Sequence, residues 1–480
     1  MSAVVDLLDE VERAPQGSQV GAFFDFDGTL IAGYSAAAFY QDRARRMEFG
    51  AGELLRSVLA VADMTVRGSD VTKLMGIAVA TWAGRPEEEV QELFDRLFRS
   101  RIAGMIYPEA RALVRAHINA GHTVALASSA TRYQLAALAE DLEIEHVLCS
   151  EVEIVRGFFS GFLAGPVLWG AAKAQAVQEF AGADGVDLKQ SFAYANGDED
   201  VPFLETVGKP RALNPGSKLK RTAREKGWPS VGLKGRGRPG VTDIVRTGVA
   251  LASLGAAGGV GVAVGLLNGD RRQGANLAAS IGPDLALALA GVELNVEGSE
   301  HLWSHRPAVF VFNHQSSLDV PVIGSLIRRD LTGVAKQEAA RDPRFAPIGY
   351  VVDVVYIDRA NSQQARAALE PAVERLKEGT SIAIAPEGTR SATPRVGRFK
   401  RGAFHLAMQA GVPIVPIVIR NAGDLMWRGS FVIRPGTIDV VVLEPIETRS
   451  WTRDEIGERA EEVRSLFVET LASWPEPTLT

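Results

Sequence analysis

An uncharged run of 22 residues, Thr247 to Asn268, constrains most strongly what this chain of 480 residues can fold into. It is long enough for a helix that crosses the apolar core of a bilayer. A second apolar stretch, Ala275 to Val292, follows Asp270-Arg271-Arg272 and contains Pro283-Asp284. Glycine and alanine dominate both stretches, which is a poor composition for a spanning helix. The parts of the chain before and after this segment therefore need cores of their own.

The charges around this segment indicate how it meets a membrane. Residues 216–240 hold eight Lys or Arg against one acid, Glu225. Basic loops resist translocation, so we expect residues 247–295 to enter one leaflet and return, with both flanking domains on the cytoplasmic side. The basic linker, residues 216–246, would meet anionic headgroups, at about 1 kcal/mol for each Lys or Arg. The alternative is a buried helix pair in a soluble protein.

Composition excludes several classes of protein. The chain is 46% hydrophobic and 23% charged, as in globular proteins, and its length favours about two to four domains. A net charge of −6 gives no reason to expect nucleic-acid binding. Cys149 is the only cysteine, which excludes an internal disulfide and fits a reducing compartment. The first 20 residues carry acids and lack the apolar core of a signal peptide. Oligomeric state stays open, including a homo-oligomer.

In the first half of the chain, apolar strands alternate with helical stretches. Three strand candidates each end next to a polar residue: Val20 to Phe24, His122 to Ala127 and Ser191 to Ala195. This spacing predicts an α/β domain, residues 1–215, with a Rossmann-like doubly wound parallel sheet and functional residues at the carboxyl ends of its strands. Residues 35–105 show no convincing strand and are predicted as a helical cap inserted over the sheet edge.

The second half repeats the alternation without repeating the sequence. Its strand candidates are residues 309–312, 351–357, 381–385, 412–419 and 438–443, and Arg453 to Trp474 has the pattern of an amphipathic helix. We therefore predict a second, unrelated α/β domain over residues 296–480. Val412 to Pro416 contains two prolines, which suits an edge strand or a close ligand contact.

The motif Asp25-Phe26-Asp27-Gly28-Thr29 closes the first predicted strand. Two carboxylates two residues apart, followed by a glycine that permits a sharp turn, can serve as nucleophile and general acid/base in phosphoryl transfer. Mg²⁺ would offset the repulsion between Asp25 and an anionic phosphate. This region, roughly residues 18–230, resembles the haloacid dehalogenase superfamily of phosphatases, and its helical cap resembles that of the phosphoserine phosphatase branch.

The resemblance implies a role for each matching residue. Asp25 would be the nucleophile that becomes aspartyl-phosphate, and Asp27 the general acid/base. Ser128 and Lys173 would bind the phosphoryl group. The residues proposed to hold Mg²⁺ are Asp25, Asp27, Asn196, Asp198 and Asp200.

Two departures from the family pattern affect these roles. Asn196 stands where the first acid of the last motif is usual, which removes a negative charge from the metal ligands, and Asp198 is the substitute after a register shift. Tyr34 replaces the glutamate that would hold phosphoserine, so we expect a lipid phosphate or another small phosphomonoester. The cluster Arg43, Arg45 and Arg46 is either an anion site or a solvated charge run. The alternative for the whole domain is a non-catalytic binding or oligomerisation module.

The second candidate site is Asn313-His314-Gln315-Ser316-Ser317-Leu318-Asp319, which follows the strand candidate at 309–312. An aspartate can orient and charge-stabilise a histidine that acts as a base. Five residues on a helix turn through about 500°, so the two side chains meet only if His314 lies in a loop and Asp319 begins a helix. We expect Ser316 or Ser317 to cap that helix.

Basic residues follow two further strand candidates. Ala385-Pro386-Glu387-Gly388-Thr389-Arg390 opens a stretch with four more cations: Arg395, Arg398, Lys400 and Arg401. Tyr356-Ile357-Asp358-Arg359 places another arginine at a strand end. Arginine forks bind phosphate with two hydrogen bonds, so we expect an anionic ligand, most simply a phosphate.

Together these blocks, over about residues 285–450, resemble the glycerolipid acyltransferases that acylate lysophosphatidic acid. The resemblance implies that His314, oriented by Asp319, deprotonates the free hydroxyl of 1-acylglycerol 3-phosphate, which then attacks acyl-CoA or acyl-carrier protein to give phosphatidic acid. Arg359 and Arg390 would hold the acceptor phosphate, with Gly388 and Thr389 beside them.

Glu387 would align either Arg390 or the backbone. The membrane segment, residues 247–292, would receive the acyl chains at the bilayer surface. Glycerol 3-phosphate or another lysophospholipid is the alternative acceptor. The fusion also suggests that phosphatidic acid is dephosphorylated to diacylglycerol by the first domain.

Overall fold

The computed structural model describes residues 3–45, 71–235, 237, 239–336, 354–357 and 369–474. The chain divides into two compact units, residues 1–237 and 238–480. Asp358, Arg359 and Arg46 lie outside the described residues, as do the side chains of Arg43 and Arg45. The interpretations that depend on these residues therefore remain predictions.

The first unit is built on a six-stranded parallel sheet with the spatial order β3-β2-β1-β6-β7-β8. Its strands are β1 (Gly21–Phe24), β2 (Thr123–Thr131), β3 (His146–Ser150), β6 (Phe192–Ala195), β7 (Lys209–Leu213) and β8 (Ser230–Val231). Its two central strands, β1 and β6, are buried along their whole length. The chain reverses its winding between them, and ligands bind at such a point in doubly wound sheets. The predicted fold class is confirmed.

Helices cover this sheet. They are α1 (Ala3–Glu12), α2 (Ser35–Arg45), α3 (Val71–Ala80), α4 (Glu87–Ser100), α5 (Pro108–Asn119), α6 (Arg132–Leu142), α7 (Ala171–Asp184), α8 (Val201–Leu204) and α9 (Ser217–Lys226). Short 3-10 helices span Ile102–Met105 and Asp198–Asp200.

The cap has a core of its own. In the described residues between 35 and 105, α2, α3 and α4 form it without a strand. Trp82 meets Phe94 and Phe159 with ring centroids 5.5 and 5.4 Å apart. Phe159 belongs to an antiparallel hairpin, β4 (Val152–Val155) and β5 (Phe158–Leu163), which the sequence analysis did not predict. The cap therefore draws residues from two separate parts of the chain.

The expected basic linker, residues 216–246, is not irregular. It contains α9 and β8, and β8 pairs with β7 in the first sheet. Leu219 and Ala223 of α9 are buried, whereas Lys218 and Lys220 are exposed. The basic side chains of α9, within residues 218–226, thus form the solvated face of an amphipathic helix in a segment predicted to be a linker.

The second unit contains a seven-stranded sheet with the order β12-β11-β13-β10-β14-β15-β9. Its strands are β9 (Val292–Glu297), β10 (Val309–Phe312), β11 (Leu331–Lys336), β12 (Val355–Ile357), β13 (Ser381–Ile384), β14 (Ile414–Ile419) and β15 (Gly436–Val442). All neighbours are parallel except β14 and β15. Strands β9 and β11 were not among the strands predicted from the sequence.

The predicted edge position of the proline-containing strand is wrong. Strand β14 lies between β10 and β15, and all six of its residues are buried. Pro416 pairs in register with Val311, and its carbonyl accepts a hydrogen bond from the Leu443 N–H at 2.9 Å. Proline removes only one donor, so a strand this apolar remains in the centre of the sheet.

The helices of the second unit include a long pair, α10 (Val241–Asn268) and α11 (Arg271–Ala290). The others are α12 (His301–Ser304), α13 (Asp319–Ile327), α14 (Leu369–Lys377), α15 (Gly402–Ala410), α16 (Ala422–Leu425) and α17 (Ile456–Ala472). Two apolar cores lie on the two faces of the sheet.

Glycines let α10 and α11 approach closely. A Cβ at Gly261 would lie 2.5 Å from the Gly274 carbonyl oxygen, and a Cβ at Gly274 would lie 2.1 Å from the Gly261 oxygen. Small residues at such a contact bring two helix backbones together. The Gly/Ala-rich composition is thereby explained as a packing requirement of the pair.

The long helix α10 is mostly uncovered. Among the described helices it alone is long and apolar enough to cross a membrane, and 17% of its most apolar window is buried. Leu266 and Leu267 are 79% and 85% exposed. This exposure does not fit the alternative of a buried helix pair.

Both ends of the pair are held by the second unit. Near the start of α10, the Thr247 hydroxyl accepts a hydrogen bond from the Ile433 N–H at 2.9 Å. At the turn, Arg272 donates from Nε to the Asp330 carboxylate at 2.6 Å. The pair is therefore fixed to the folded unit at both of its ends.

Candidate functional sites

The first site gathers where β1 and β6 end. Asp25 directly follows β1, and Lys173 lies in the first turn of α7. The Lys173 ammonium donates to Asp25 Oδ1 at 2.8 Å and to Asp200 Oδ1 at 2.6 Å, with all three side chains buried. The structure thus joins three of the residues that the sequence analysis named.

Thr29 and Asn196 complete this cluster. The Thr29 hydroxyl lies 3.2 Å from Asp25 Oδ2 and 3.2 Å from Asn196 Oδ1. Gly28 has a φ of +78°, and a Cβ there would lie 2.1 Å from the Asn196 amide nitrogen. Glycine at position 28 therefore permits both the turn and the close approach of Asn196.

Asp27 is held by the start of the cap. Its two oxygens accept hydrogen bonds from the Ser35 N–H at 2.7 Å and the Ser35 hydroxyl at 3.0 Å. Burial raises the pKa of Asp27 to about 7, although the Ser35 N–H acts against the shift. A carboxyl group with such a pKa can both give and take a proton near neutral pH.

Lys173 supplies the positive charge of this cluster. Burial alone would lower the pKa of the Lys173 ammonium, but the carboxylates of Asp25 and Asp200 together raise it above its usual range. Burial raises the pKa of Asp200 to about 7, against the effect of Lys173. One ammonium thus faces two carboxylates, which leaves room for a further cation.

Three of the five residues proposed to hold Mg²⁺ fit it, whereas Asp27 and Asp198 are engaged elsewhere, Asp27 through both oxygens with Ser35. Asp25, Asp200 and the Asn196 amide offer the hard oxygen atoms that Mg²⁺ prefers. Asp198 does not fit, because its Oδ1 accepts the Leu219 N–H at 2.7 Å and so caps α9. Within the described ranges, no group of three or more His, Cys, Asp or Glu side chains gathers around a metal position.

Ser128 lies at an irregularity of β2. The register between β2 and β3 shifts between Ala127 and Thr131. The buried Ser128 hydroxyl accepts the Ala130 N–H at 3.2 Å, so it is engaged with its own strand. No hydrogen bond joins Ser128 to the cluster around Asp25 in the described part of the chain.

The second site is a histidine and aspartate in direct contact. His314 Nδ1 lies 2.8 Å from Asp319 Oδ2. The Asp319 side chain is fully buried, whereas the His314 side chain is 21% exposed and can reach a substrate. As predicted, His314 lies in the loop after β10 and Asp319 begins α13.

Backbone groups hold the aspartate. Asp319 Oδ2 also accepts the Gln315 N–H at 2.8 Å and the Ser316 N–H at 2.9 Å. Its other oxygen, Oδ1, is buried without a hydrogen-bond partner among the described residues. The carboxylate is thus fixed through one oxygen, which also contacts the histidine.

The predicted serine cap is wrong. Leu318 occupies the N-cap position of α13 and makes no side-chain cap bond. The Ser316 hydroxyl instead accepts the Leu318 N–H at 3.1 Å and donates to the Met426 carbonyl at 2.6 Å. Asp319 accepts the N–H groups of Gln315 and Ser316, which precede the helix, so its carboxylate holds the loop and does not cap α13.

Glu387 holds the backbone of the loop that contains His314. Its Oε1 accepts the His314 N–H at 2.8 Å, and its Oε2 accepts the Gly397 N–H at 2.8 Å. Burial raises the pKa of Glu387, partly offset by these two N–H groups. Of the two roles predicted for Glu387, these contacts support alignment of the backbone.

Arg390 reaches the same loop. Its Nη1 donates to the Ser317 hydroxyl at 2.5 Å. The preceding Gly388 has a φ of +75°, and Thr389 is exposed. The guanidinium of Arg390 thus lies beside the loop that contains His314, where it could bind an acceptor phosphate.

Two family models match the chain. That of the haloacid dehalogenase-like hydrolases covers residues 22–205, and that of the acyltransferases covers residues 293–420. The chain therefore belongs to both families: it is a haloacid dehalogenase-like hydrolase in its first half and an acyltransferase in its second half. The resemblances drawn from the motifs are confirmed.

Individual relatives match one half each. Phosphoserine phosphatase SerB1 of Mycobacterium tuberculosis (strain ATCC 25618 / H37Rv) is 36% identical over 233 residues, 48% of this chain and 75% of the relative. The 1-acyl-sn-glycerol-3-phosphate acyltransferase of Limnanthes alba is 34% identical over 204 residues, 42% of this chain and 72% of the relative. Its namesake in Saccharomyces cerevisiae (strain ATCC 204508 / S288c) is 36% identical over 186 residues, 38% of this chain and 61% of the relative. The chain thus spans less than two thirds of the yeast relative.

Sequence reasoning missed several residues that organise the two sites. Thr29 stands inside the first motif and was quoted without a role. Ser35 and Ser317 were not singled out as ligands of a charged group, and Gly397 lies in the basic stretch with no distinguishing pattern. A hydroxyl next to a predicted catalytic acid is a usable signal, but a backbone N–H donor such as that of Gly397 leaves no trace in the sequence.

Proposed function

We propose that the second unit transfers an acyl chain from a thioester to the free hydroxyl of 1-acylglycerol 3-phosphate, forming phosphatidic acid. The observation that carries this proposal is the 2.8 Å contact between His314 Nδ1 and the buried Asp319 carboxylate. With Nδ1–H donating to Asp319, Nε2 is the ring nitrogen left to take a proton. The names of the acyltransferase relatives support the choice of acceptor.

The reaction needs no acyl-enzyme. His314 Nε2 takes the proton of the acceptor hydroxyl as its oxygen attacks the thioester carbonyl carbon, and Asp319 stabilises the imidazolium. The tetrahedral intermediate expels the thiolate, which receives the proton back from Nε2. The ester bond forms as the thioester bond breaks. The histidine loop contains no cysteine or other strong nucleophile that would compete with the substrate hydroxyl.

The acceptor phosphate would bind at Arg390. Its guanidinium lies on Ser317, between the histidine and the aspartate in sequence. In the acceptor only a few bonds separate the phosphate from the reactive hydroxyl, so a cation at this loop suits it. Arg359 is proposed as a second phosphate ligand on the family resemblance alone.

We propose that the α10–α11 pair lies along one leaflet and does not cross the bilayer. Helix α10 could span by length, since its 28 residues extend about 42 Å. However, Thr247 and Arg272 fix both ends of the pair to one folded unit. The exposed leucines 266 and 267 would enter the acyl region while that unit stays in water. Both units are proposed to lie on the cytoplasmic side.

The test of acyl transfer is the change His314→Ala. Removal of the base should lower the rate by about 10³-fold or more, because the hydroxyl then has no proton acceptor. The measurement is phosphatidic acid formed from lysophosphatidic acid and acyl-CoA on vesicles. Near-normal activity of the variant would exclude the assignment. Glycerol 3-phosphate and a lysophospholipid with a headgroup, tested in parallel, decide the acceptor.

A second function is favoured by the cluster of Asp25, Lys173 and Asp200. We propose that the first unit hydrolyses a phosphomonoester, either a lipid phosphate or a small molecule. Asp25 attacks phosphorus while Asp27 protonates the leaving oxygen; water then attacks the aspartyl-phosphate and gives Asp27 a proton, releasing phosphate. Mg²⁺, when bound by Asp25, Asp200 and Asn196, would neutralise charge on the phosphoryl oxygens.

The change Asp25→Asn tests this second function. It should abolish phosphate release from an aryl phosphate and from phosphatidic acid, because an amide cannot form the phosphoenzyme. Acyl transfer should remain unchanged, and His314→Ala should give the converse result, so each variant is the control for the other. If wild type releases no phosphate from either substrate with Mg²⁺, the non-catalytic alternative replaces the proposal.

A further inference from the structure

A cavity of about 560 Å³ lies between the loop before α15 and the helix α17 of the second unit. It is lined by Arg398, Phe399, Arg401, Gly457, Ala460, Glu461 and Arg464. Ligand pockets of small molecules have volumes in this range. Three arginines against one acid make the cavity a site for an anion of small-molecule size.

Two of these arginines are available to a ligand. Arg464 donates to Glu461 at 2.6 Å, which balances its charge. Within the described ranges, neither Arg398 nor Arg401 forms an ion pair or a side-chain hydrogen bond. A Cβ at Gly457 would lie 2.8 Å from Arg401 Nη2, so the guanidinium rests on the glycine of α17. The cavity therefore holds two unneutralised guanidinium groups.

The cavity is connected to the catalytic loop through hydrogen bonds. Arg464 Nε donates to the Gly397 carbonyl at 3.2 Å. The Gly397 N–H binds one oxygen of Glu387, whose other oxygen binds the His314 N–H. Arg464 is thus linked to His314 through Gly397 and Glu387, and Arg398 directly follows Gly397 in the chain.

We propose that this cavity binds the phosphate groups at the nucleotide end of coenzyme A in the acyl donor. This inference rests on the acyl transfer proposed for His314. The acceptor phosphate is too close to the reactive hydroxyl to reach past Glu387, and Arg390 serves it. The donor's phosphates are separated from the thioester by the whole pantetheine arm, which suits a site set back from the histidine. The concave shape fits a small anion better than the flat surface of a carrier protein.

The experiment compares Arg398→Gln/Arg401→Gln with Arg453→Gln, which removes an exposed cation outside the cavity. Calorimetry with coenzyme A and the full chain should show a Kd raised at least about tenfold in the double variant and unchanged in the control. The KM for acyl-CoA should rise similarly, while the KM for lysophosphatidic acid and the rate with acyl-pantetheine, which lacks the nucleotide, stay as in wild type.

Three results would overturn the proposal. One is unchanged coenzyme A binding in the double variant, and another is an equal loss with acyl-pantetheine. The third is a raised KM for lysophosphatidic acid or for acyl-carrier protein alone, which would assign the cavity to the lipid phosphate or to the carrier protein. Binding of coenzyme A is also measured in His314→Ala. If wild type shows no acyl transfer but His314→Ala still binds coenzyme A, the proposed function fails while this site stands. The two failures can therefore be told apart.

Discussion

At the scale of single residues, the two sites handle buried charge differently. In the first, the Lys173 ammonium binds the carboxylates of both Asp25 and Asp200. In the second, backbone N–H groups hold the carboxylates of Asp319 and Glu387. Carboxylates that accept several N–H bonds are fixed in orientation. The acyltransferase site therefore depends on the exact path of its loops.

The change Glu387→Gln tests that dependence. The amide keeps the shape, but its oxygen replaces only one of the two acceptors, and its NH₂ group faces the N–H of either His314 or Gly397, so one contact is lost. We expect kcat for acyl transfer to fall roughly tenfold, with little change in the KM for lysophosphatidic acid. Glu374→Gln, on the exposed face of α14, is the control. A change confined to KM would show that Glu387 acts on the substrate instead.

At the scale of elements, the α10–α11 pair depends on glycine. A side chain at Gly261 meets the backbone of α11, which cannot move aside as a flexible side chain would. Gly259, on the same helix, has open space around the position of a Cβ. Alanine at Gly259 therefore tests the helix preference of alanine alone. Alanine at Gly261 also tests the cost of separating the two helices.

Gly261→Ala should destabilise the second unit by about 1–3 kcal/mol, because the helices must separate. Gly259→Ala should be neutral or stabilising by up to about 1 kcal/mol, as alanine favours helix. The measurement is thermal unfolding in detergent, together with the half-life of acyl transfer on heating. Equal effects of the two changes would contradict the close packing of the pair.

At the scale of the whole molecule, we expect the response of each compact unit to pH to depend on its own buried groups. The first contains a buried chain of neutral groups. Tyr194 OH lies 2.8 Å from His117 Nε2, His117 Nδ1 lies 2.8 Å from His122 Nδ1, and His122 Nε2 lies 2.9 Å from the Pro15 carbonyl. Because the carbonyl only accepts, each bond has one donor and one acceptor when both imidazoles are neutral. A further proton would add a positive charge to this buried chain, and the Tyr194 hydroxyl would have to change from donor to acceptor.

Acid should therefore weaken the first unit through these histidines. Burial lowers the pKa of His117 well below its usual range, and burial also lowers that of His122. Their contribution is complete above the unfolded pKa of about 6.5 and is lost as pH falls below it, by up to about 1.4 kcal/mol per pH unit for each histidine. The raised pKa values of Asp27 and Asp200 act in the opposite direction.

The comparison is thus between wild type and His117→Gln/His122→Gln, with unfolding measured at about pH 7.5 and about pH 5.5. The stability advantage of wild type should shrink at the lower pH. An advantage that is constant or grows would show that the imidazoles take up protons in the folded state. Acyl transfer by the second unit provides the internal control, since this network lies in the first unit.

The sequence by itself determined the classes of both halves and predicted most of the candidate reacting groups. Strand periodicity located β1, β2, β6, β10 and β14, and the motifs located Asp25, Asp27, His314 and Asp319, because chemistry demands those side chains at fixed spacings. Tertiary structure alone decided what surrounds them. Asp198 caps a helix, Glu387 binds backbone, β14 lies in the centre of its sheet, and the supposed linker forms α9 and β8.

The physical reason is that these outcomes depend on partners distant in the chain. A backbone N–H is identical in every residue except proline, so sequence cannot show that Gly397 will meet Glu387. Nor can it show that Arg398, Arg401 and Arg464 will line one cavity, since α17 follows the other two by about sixty residues. The sequence specifies which side chains are present, whereas tertiary packing sets their orientation.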